Sequence, residues 1–181
     1  MPFLKTAFED LYVFEPHIFE DERGYFFEAF NSQTFESETG ISRPFVQDNQ
    51  AFSTKGVLRG LHFQTGEYAQ AKLVRILQGE VLDVVVDLRK NAATFGQSFS
   101  IVLSESNKRQ LYVPRGFAHG YLVCSENAEF FYKCDNFYNQ KAEGGIRYND
   151  PDLNIDWIFP THQLLLSPKD LQLPLFATYK D

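Results

Sequence analysis

The stretch Lys72 to Leu88, KLVRILQGEVLDVVVDL, constrains the fold more than any other part of the chain. Both of its arms alternate with period two, which is the signature of strands with one face turned to a core. In the second arm Leu82, Val84, Val86 and Leu88 share one face, and Asp83 and Asp87 share the other. With Gln78-Gly79-Glu80 between the arms, the segment reads as a hairpin. SFSIVLSE, RQLYVP, HGYLVCS and AEFFYKCDNFY continue the pattern, punctuated by Gly, Pro, Asn and Asp. Short strands at this spacing predict a sandwich or barrel, and a double-sheet jelly roll disposes of the edges. The 19 Phe and 9 Tyr fit this, because aromatics favour strands. One helix is expected early, with Ser32 capping QTFESET and Gly40 ending it. The last third, with Trp157 and LLLSPKDL, is less regular and predicts turns and short helices. No repeat, low-complexity segment or linker divides the 181 residues, so residues 1–181 are expected to form one domain.

The formal charge is −7. Nucleic acids and anionic membranes call for a basic face, so neither is an expected partner. No apolar run approaches the roughly 18 residues of a membrane span. The N-terminus lacks a basic segment followed by an apolar run, and Cys124 and Cys134 lack paired spacing. Together these predict a cytoplasmic protein with two reduced thiols.

Candidate chemistry starts from Gly60-Leu-His62-Phe-Gln64 and Pro114-Arg-Gly-Phe-Ala-His119. The second has the form of the Pro-x-Gly-x-x-His segment of cupin jelly rolls. The first stands where a metal-binding cupin has His-x-His, with Gln64 in place of the second imidazole. Two imidazoles and an amide make a poor transition-metal set, so no metal is expected. A neutral imidazole such as His62 can instead take a proton near neutral pH, best when a carboxylate holds its other nitrogen. Asp170 could be that carboxylate. Yet Ser167-Pro168-x-Asp170 also has the form of a helix start, and spacing alone favours that role. Tyr132 shares a strand face with Phe130 and Cys134, as a core aromatic would. Lys72 opens a strand whose other inward residues are apolar, so it could meet an anion or an enolate. Arg23, Arg59 and Lys169 taken singly are ordinary surface cations. These residues alone give a small-molecule pocket in a β-barrel.

Eight segments, in order, carry a more specific likeness: DERGYFFE (21–28), FVQDNQ (45–50), VLRGLHFQ (57–64), AQAKLVR (69–75), GEVLDVVVDLR (79–89), NKRQLYVPRGFAHGY (107–121), AEFFYK (128–133) and LSPKD (166–170). Over nearly its whole length the chain resembles the dTDP-4-dehydrorhamnose 3,5-epimerases, which act in dTDP-L-rhamnose synthesis. The resemblance implies an all-β, cupin-type double-stranded jelly-roll barrel with a few short helices, working as a homodimer without metal or cofactor. It implies His62 as general base paired with Asp170, Tyr132 as proton donor, and Lys72 beside the sugar. For substrate binding it implies Arg23 and Glu28, Gln47 and Asn49, Arg59, Lys72 and His119, with Tyr138 stacking on thymine and Glu143 and Lys169 closing the site. Arg23 and Glu28 are implied to serve the partner subunit's site. The chain departs from the family pattern at Ala71, where Gly is usual, in the loop Thr65–Tyr68, and at Tyr112 and Tyr148, where Trp is frequent. Ala71 and the loop are expected to border the sugar pocket.

The implied substrate, dTDP-4-dehydro-6-deoxy-D-glucose, needs no redox partner. Its C4 ketone acidifies the protons at C3 and C5, because each carbanion is an enolate. Three other readings stand beside this one. They are an epimerase acting at C3 or C5 only, a cupin that binds a sugar nucleotide without turnover, and a metal-dependent dioxygenase or isomerase.

Overall fold

The alternating segments become thirteen strands within residues 3–179, the residues that the computed structural model describes. In chain order they begin with β1 (Phe3–Lys5), β2 (Tyr12–Phe14), β3 (Phe19–Asp21) and β4 (Gly24–Phe26). Helix α1 (Ser32–Thr39) follows, then β5 (Gln47–Thr54), β6 (Leu58–Gln64), β7 (Lys72–Gln78) and β8 (Glu80–Asp87). The chain continues through β9 (Ser98–Ser104), β10 (Gln110–Val113), β11 (Phe117–Val123), β12 (Asn127–Cys134) and β13 (Glu143–Gly145). The last third contributes mainly turns, 3-10 segments and the one-turn helix α2 (Pro168–Leu171).

Two antiparallel sheets face each other, ordered β1-β2-β10-β7-β12-β5 and β13-β6-β11-β8-β9, with β3 and β4 forming a separate ribbon. This is the expected jelly roll. Apolar residues of both sheets meet between them, among them Val74, Leu111 and Phe130 from one and Val81, Val85 and Tyr121 from the other. The opposite face of β8 and β11 is buried as well. There Leu82, Val84, Val86, Ala118 and Leu122 pack under Ile146, Tyr148, Trp157 and Phe176 of the last third. That second layer explains why β11 is buried at every position.

The segment from Lys72 to Leu88 is not a hairpin. β7 pairs with β10 and β12, whereas β8 pairs with β9 and β11, so the chain changes sheet at Gly79. Alternation specifies which face of a strand is buried, and it is equally satisfied by a partner across the core. Gly79 has φ of 78°. A Cβ there would lie 2.1 Å from the Asn127 carbonyl oxygen and 2.4 Å from Ser125 Oγ. Gly79→Ala should therefore lower stability by at least about 2 kcal/mol, read as a lower urea midpoint at unchanged slope.

Helix α1 begins one residue earlier than Ser32 as cap would place it. Asn31 is the N-cap, its side chain accepting from the N–H groups of Gln33 and Thr34, and Gly40 ends the helix in the left-handed region as expected. The helix lays Phe35 on the outer face of the larger sheet, beside Tyr12, Ala71, Leu73 and Tyr112.

Candidate active site

A cavity of about 510 Å³ lies between the sheets and is bounded by the segment from Leu165 to Asp170. Of the residues expected at a site, His62, Lys72, Arg59, His119, Tyr132, Lys169 and Asp170 all line it. They come from different elements: Arg59 and His62 from β6, His119 from β11, Lys72 from β7, Tyr132 from β12, and the other two from α2.

The structure accommodates both readings of Asp170. Ser167 Oγ accepts from the Asp170 N–H at 3.1 Å, so the serine does start a helix with Pro168 in its first turn. That same turn aims the carboxylate at His62, whose Nε2 lies 2.7 Å from Asp170 Oδ1. Burial pushes the Asp170 carboxyl up. The His62 hydrogen bond and charge, the Gly60 N–H and the Ser167 contact pull it down further, so it stays below its ordinary range. An ionised Asp170 accepts the Nε2 proton and leaves the Nδ1 lone pair of a neutral His62 free to take another.

β6 and β11 run unusually close at this point. A Cβ on Gly60 would lie 2.6 Å from Gly120 Cα, and the register shifts between His119 and Tyr121. His119 is thereby paired directly across from His62. Its Nε2 meets both oxygens of Asp83, at 3.0 and 2.9 Å, and both side chains are buried. Asp83 shows in sequence only as lying on the strand face opposite Leu82, Val84 and Val86, a face that the structure buries as well. Its partner lies 36 residues away, and no local spacing announces the pair.

Across the cavity, on the other sheet, stand Tyr132 and Lys72. Burial raises the Tyr132 phenol to about 12, so it keeps its proton at neutral pH. Its ring packs against Phe130 and lies 5.7 Å from Lys72 Nζ, while its hydroxyl has no hydrogen-bond partner among the described residues. Burial lowers the pKa of Lys72, opposed by charges at Cys134, Asp83 and Glu143. Arg59 donates from Nε and Nη2 to Ser53 Oγ, both at 3.2 Å.

Glu143, Tyr138, Gln47 and Asn49 do not line the cavity but form a hydrogen-bonded chain that meets it at Lys169. Lys169 Nζ and the Tyr138 hydroxyl both donate to Glu143 Oε2, at 2.7 and 2.9 Å. Burial raises the Glu143 carboxyl, but those two hydrogen bonds and the Lys169 charge bring it below its ordinary value. Gln47 Oε1 accepts from the Tyr138 N–H at 3.1 Å, and Gln47 Nε2 donates to Asn49 Oδ1 at 3.0 Å. Arg23 and Glu28 lie elsewhere. Arg23 pairs with Asp21 in the exposed ribbon, and Glu28 accepts from Asn31 Nδ2 at 3.1 Å.

Three expectations are corrected or sharpened. Ala71 faces away from the cavity, in the outer cluster with Tyr112, because period two places it opposite Lys72. The loop Thr65–Tyr68 does not line the cavity either; its Tyr68 carbonyl is held by Gln64. Gln64 itself is turned to that loop and to Phe137 and Asn139 rather than toward the two imidazoles. Among the described residues no group of three or more His, Cys, Asp or Glu side chains could hold a metal ion. No helix among them is long and apolar enough to cross a membrane.

Known proteins of the same design are close. The family model for dTDP-4-dehydrorhamnose 3,5-epimerase matches residues 5–178. The dTDP-4-dehydrorhamnose 3,5-epimerase of Shigella flexneri is 53% identical over 171 residues, covering 94% of this chain and 93% of the relative. The crystal structure of the Elizabethkingia anophelis NUHP1 enzyme of that name superposes with a TM-score of 0.96 at 54% identity, covering 100% of this chain and 99% of that one. The dTDP-6-deoxy-D-glucose-3,5-epimerase of Legionella pneumophila Philadelphia 1, solved with dTDP-4-keto-L-rhamnose, superposes at 0.92 with 48% identity, covering 96% of this chain and 92% of that one. With its sheets, its paired imidazoles and its C-terminal acid in place, the chain belongs to the dTDP-4-dehydrorhamnose 3,5-epimerase family.

Proposed function

We propose that the chain, acting as one domain, inverts C3 and C5 of dTDP-4-dehydro-6-deoxy-D-glucose to give dTDP-4-dehydro-L-rhamnose. The observation that carries this reading is the opposition of two proton-handling groups across one cavity: His62, held by Asp170 at 2.7 Å, on one sheet and the free phenol of Tyr132 on the other. Inversion needs a proton removed from one face of a carbon and returned to the other, and two groups on opposed walls supply this. His62 takes the C3 or C5 proton at Nδ1, with Asp170 stabilising the imidazolium. The electrons move into the C4 carbonyl, and Lys72 offers positive charge to the enolate oxygen. Tyr132 then delivers a proton from the opposite side.

Arg59 is suited to the diphosphate. Arg59 lines the cavity with its guanidinium donating to Ser53 Oγ, and its fork matches phosphate oxygens. His119, Gln47, Asn49, Lys169 and Glu143 complete the pocket, and Tyr138 stacks on the thymine. Incubating the protein with this substrate, a rhamnose-forming 4-ketoreductase and NADPH should consume NADPH and yield dTDP-L-rhamnose. A product of D-configuration, or none, would contradict the assignment.

The protein acts as a homodimer in the cytoplasm, where Cys124 and Cys134 remain free thiols. Support for the dimer comes from the β3–β4 ribbon, whose Phe19, Tyr25 and Phe26 are 59%, 57% and 69% exposed. A second copy would cover them and receive Arg23 and Glu28 at its own cavity. Light scattering on the eluting peak should give twice the chain mass of 20.9 kDa. A monomer at micromolar concentration would refute the shared site.

A further inference from the structure

The ring of Tyr138 is 53% exposed and packs on no other aromatic side chain among the described residues. Its hydroxyl is tied to Glu143 at 2.9 Å, and two glutamines hold its backbone. Gln47 Oε1 accepts from the Tyr138 N–H at 3.1 Å. Gln64 grips both neighbours: Oε1 accepts from the Asn139 N–H at 2.7 Å, and Nε2 donates to the Phe137 carbonyl at 3.4 Å and the Tyr68 carbonyl at 3.1 Å. Gln64 is 8% exposed, so these bonds are sheltered from competing water.

Its place in the strand matters. β13 pairs with β6 in the register Glu143–Gln64 and Gly145–His62. The base His62, the clamp Gln64 and the carboxylate that holds the Tyr138 hydroxyl therefore sit on one pair of strands. A side chain at position 64 with no donor would leave the Phe137 and Tyr68 carbonyls without this partner. One with no acceptor would orphan the Asn139 N–H. Only an amide of this length does both jobs.

We infer that Gln64 is a positioning residue for recognition of the nucleotide base, holding the Phe137–Asn139 backbone so that the Tyr138 ring stands open at the cavity rim. The inference rests on the reading of Tyr138 as the thymine platform. It gives the strand position two residues after His62 a role in affinity rather than in proton transfer.

The test compares ligands that carry a base with one that does not. In Gln64→Ala, KM for dTDP-4-dehydro-6-deoxy-D-glucose and Kd for dTDP should rise about tenfold. Kd for inorganic diphosphate should not change, and the loss should fall on KM rather than kcat. General loosening of the fold would instead weaken both ligands or lower kcat. Gln64→Glu keeps the length and the acceptor for Asn139 but has no donor for the two carbonyls, and it should lose dTDP affinity likewise. It decides the matter if Gln64→Ala fails to fold. Unchanged dTDP affinity, an equal loss for diphosphate, or a loss in kcat alone overturns the inference. Tyr138→Ala separates the two levels. If that variant binds dTDP normally, the thymine platform is wrong. If it binds weakly while the Gln64 variants bind normally, the platform stands and the clamp falls.

Discussion

His62→Ala is expected to lower kcat by about 10²–10⁴-fold, the contribution of a positioned base. The reason lies in how the imidazole is held. Asp170 is 3% exposed and lies 2.7 Å from Nε2, which fixes the ring of a histidine that lines the cavity. His119 stands beside His62, with its own Nε2 engaged by both oxygens of Asp83. Alanine at 62 also leaves a buried carboxylate without its partner, a destabilising change. His62→Asn is the cleaner variant, since an amide N–H can still reach toward Asp170. Both variants should lose turnover together with solvent exchange at C3 and C5, and urea unfolding should place the asparagine variant above the alanine variant. Near-normal turnover in folded His62→Asn would remove His62 from the role of base.

Tyr132→Phe is expected to separate two events that the wild type performs together. The phenylalanine ring keeps the packing against Phe130, so the cavity wall stays in place. What is lost is the proton on the face opposite His62. Enolisation still occurs, and the proton returns from the side it left. Inversion should fall by about 10²-fold or more, while exchange of the C3 and C5 protons with solvent falls much less. Because burial holds the phenol near about 12, ionisation of Tyr132 in the free enzyme should not produce an alkaline limb at lower pH. NMR of substrate and product in D₂O reads both rates in one tube. Full epimerisation by the variant would sink the donor role.

How much of this was legible in the sequence depends on the range over which each residue acts. Strands were legible because period two is local, and the helix caps at Gly40 and Ser167 because capping is local. The partner of a strand is not local. The Lys72–Leu88 segment therefore read as a hairpin, although β7 and β8 lie in different sheets. The same limit explains Asp83: the strand face it shares with Asp87 was readable, its bond to His119 was not. For Asp170 the helix-start pattern seemed to compete with a catalytic role, yet one turn of helix is capped by Ser167 and also sets the carboxylate against His62. Gln64 was read as a failed metal ligand on the face of His62. Its amide turned out to serve a loop more than seventy residues away. Ala71 was expected to border the sugar pocket and does not, although the local signal was there: period two turns it to the face opposite Lys72.

The central claim is that two groups on opposed walls of one cavity invert two carbons through a C4 enolate. The most direct test is to incubate the protein with dTDP-4-dehydro-6-deoxy-D-glucose in D₂O, follow C3 and C5 by NMR, and trap the product with a 4-ketoreductase. The account predicts deuterium at both carbons and an L-configured sugar. Label and inversion at a single carbon would make the chain a monofunctional epimerase, and absence of label at both would contradict the account.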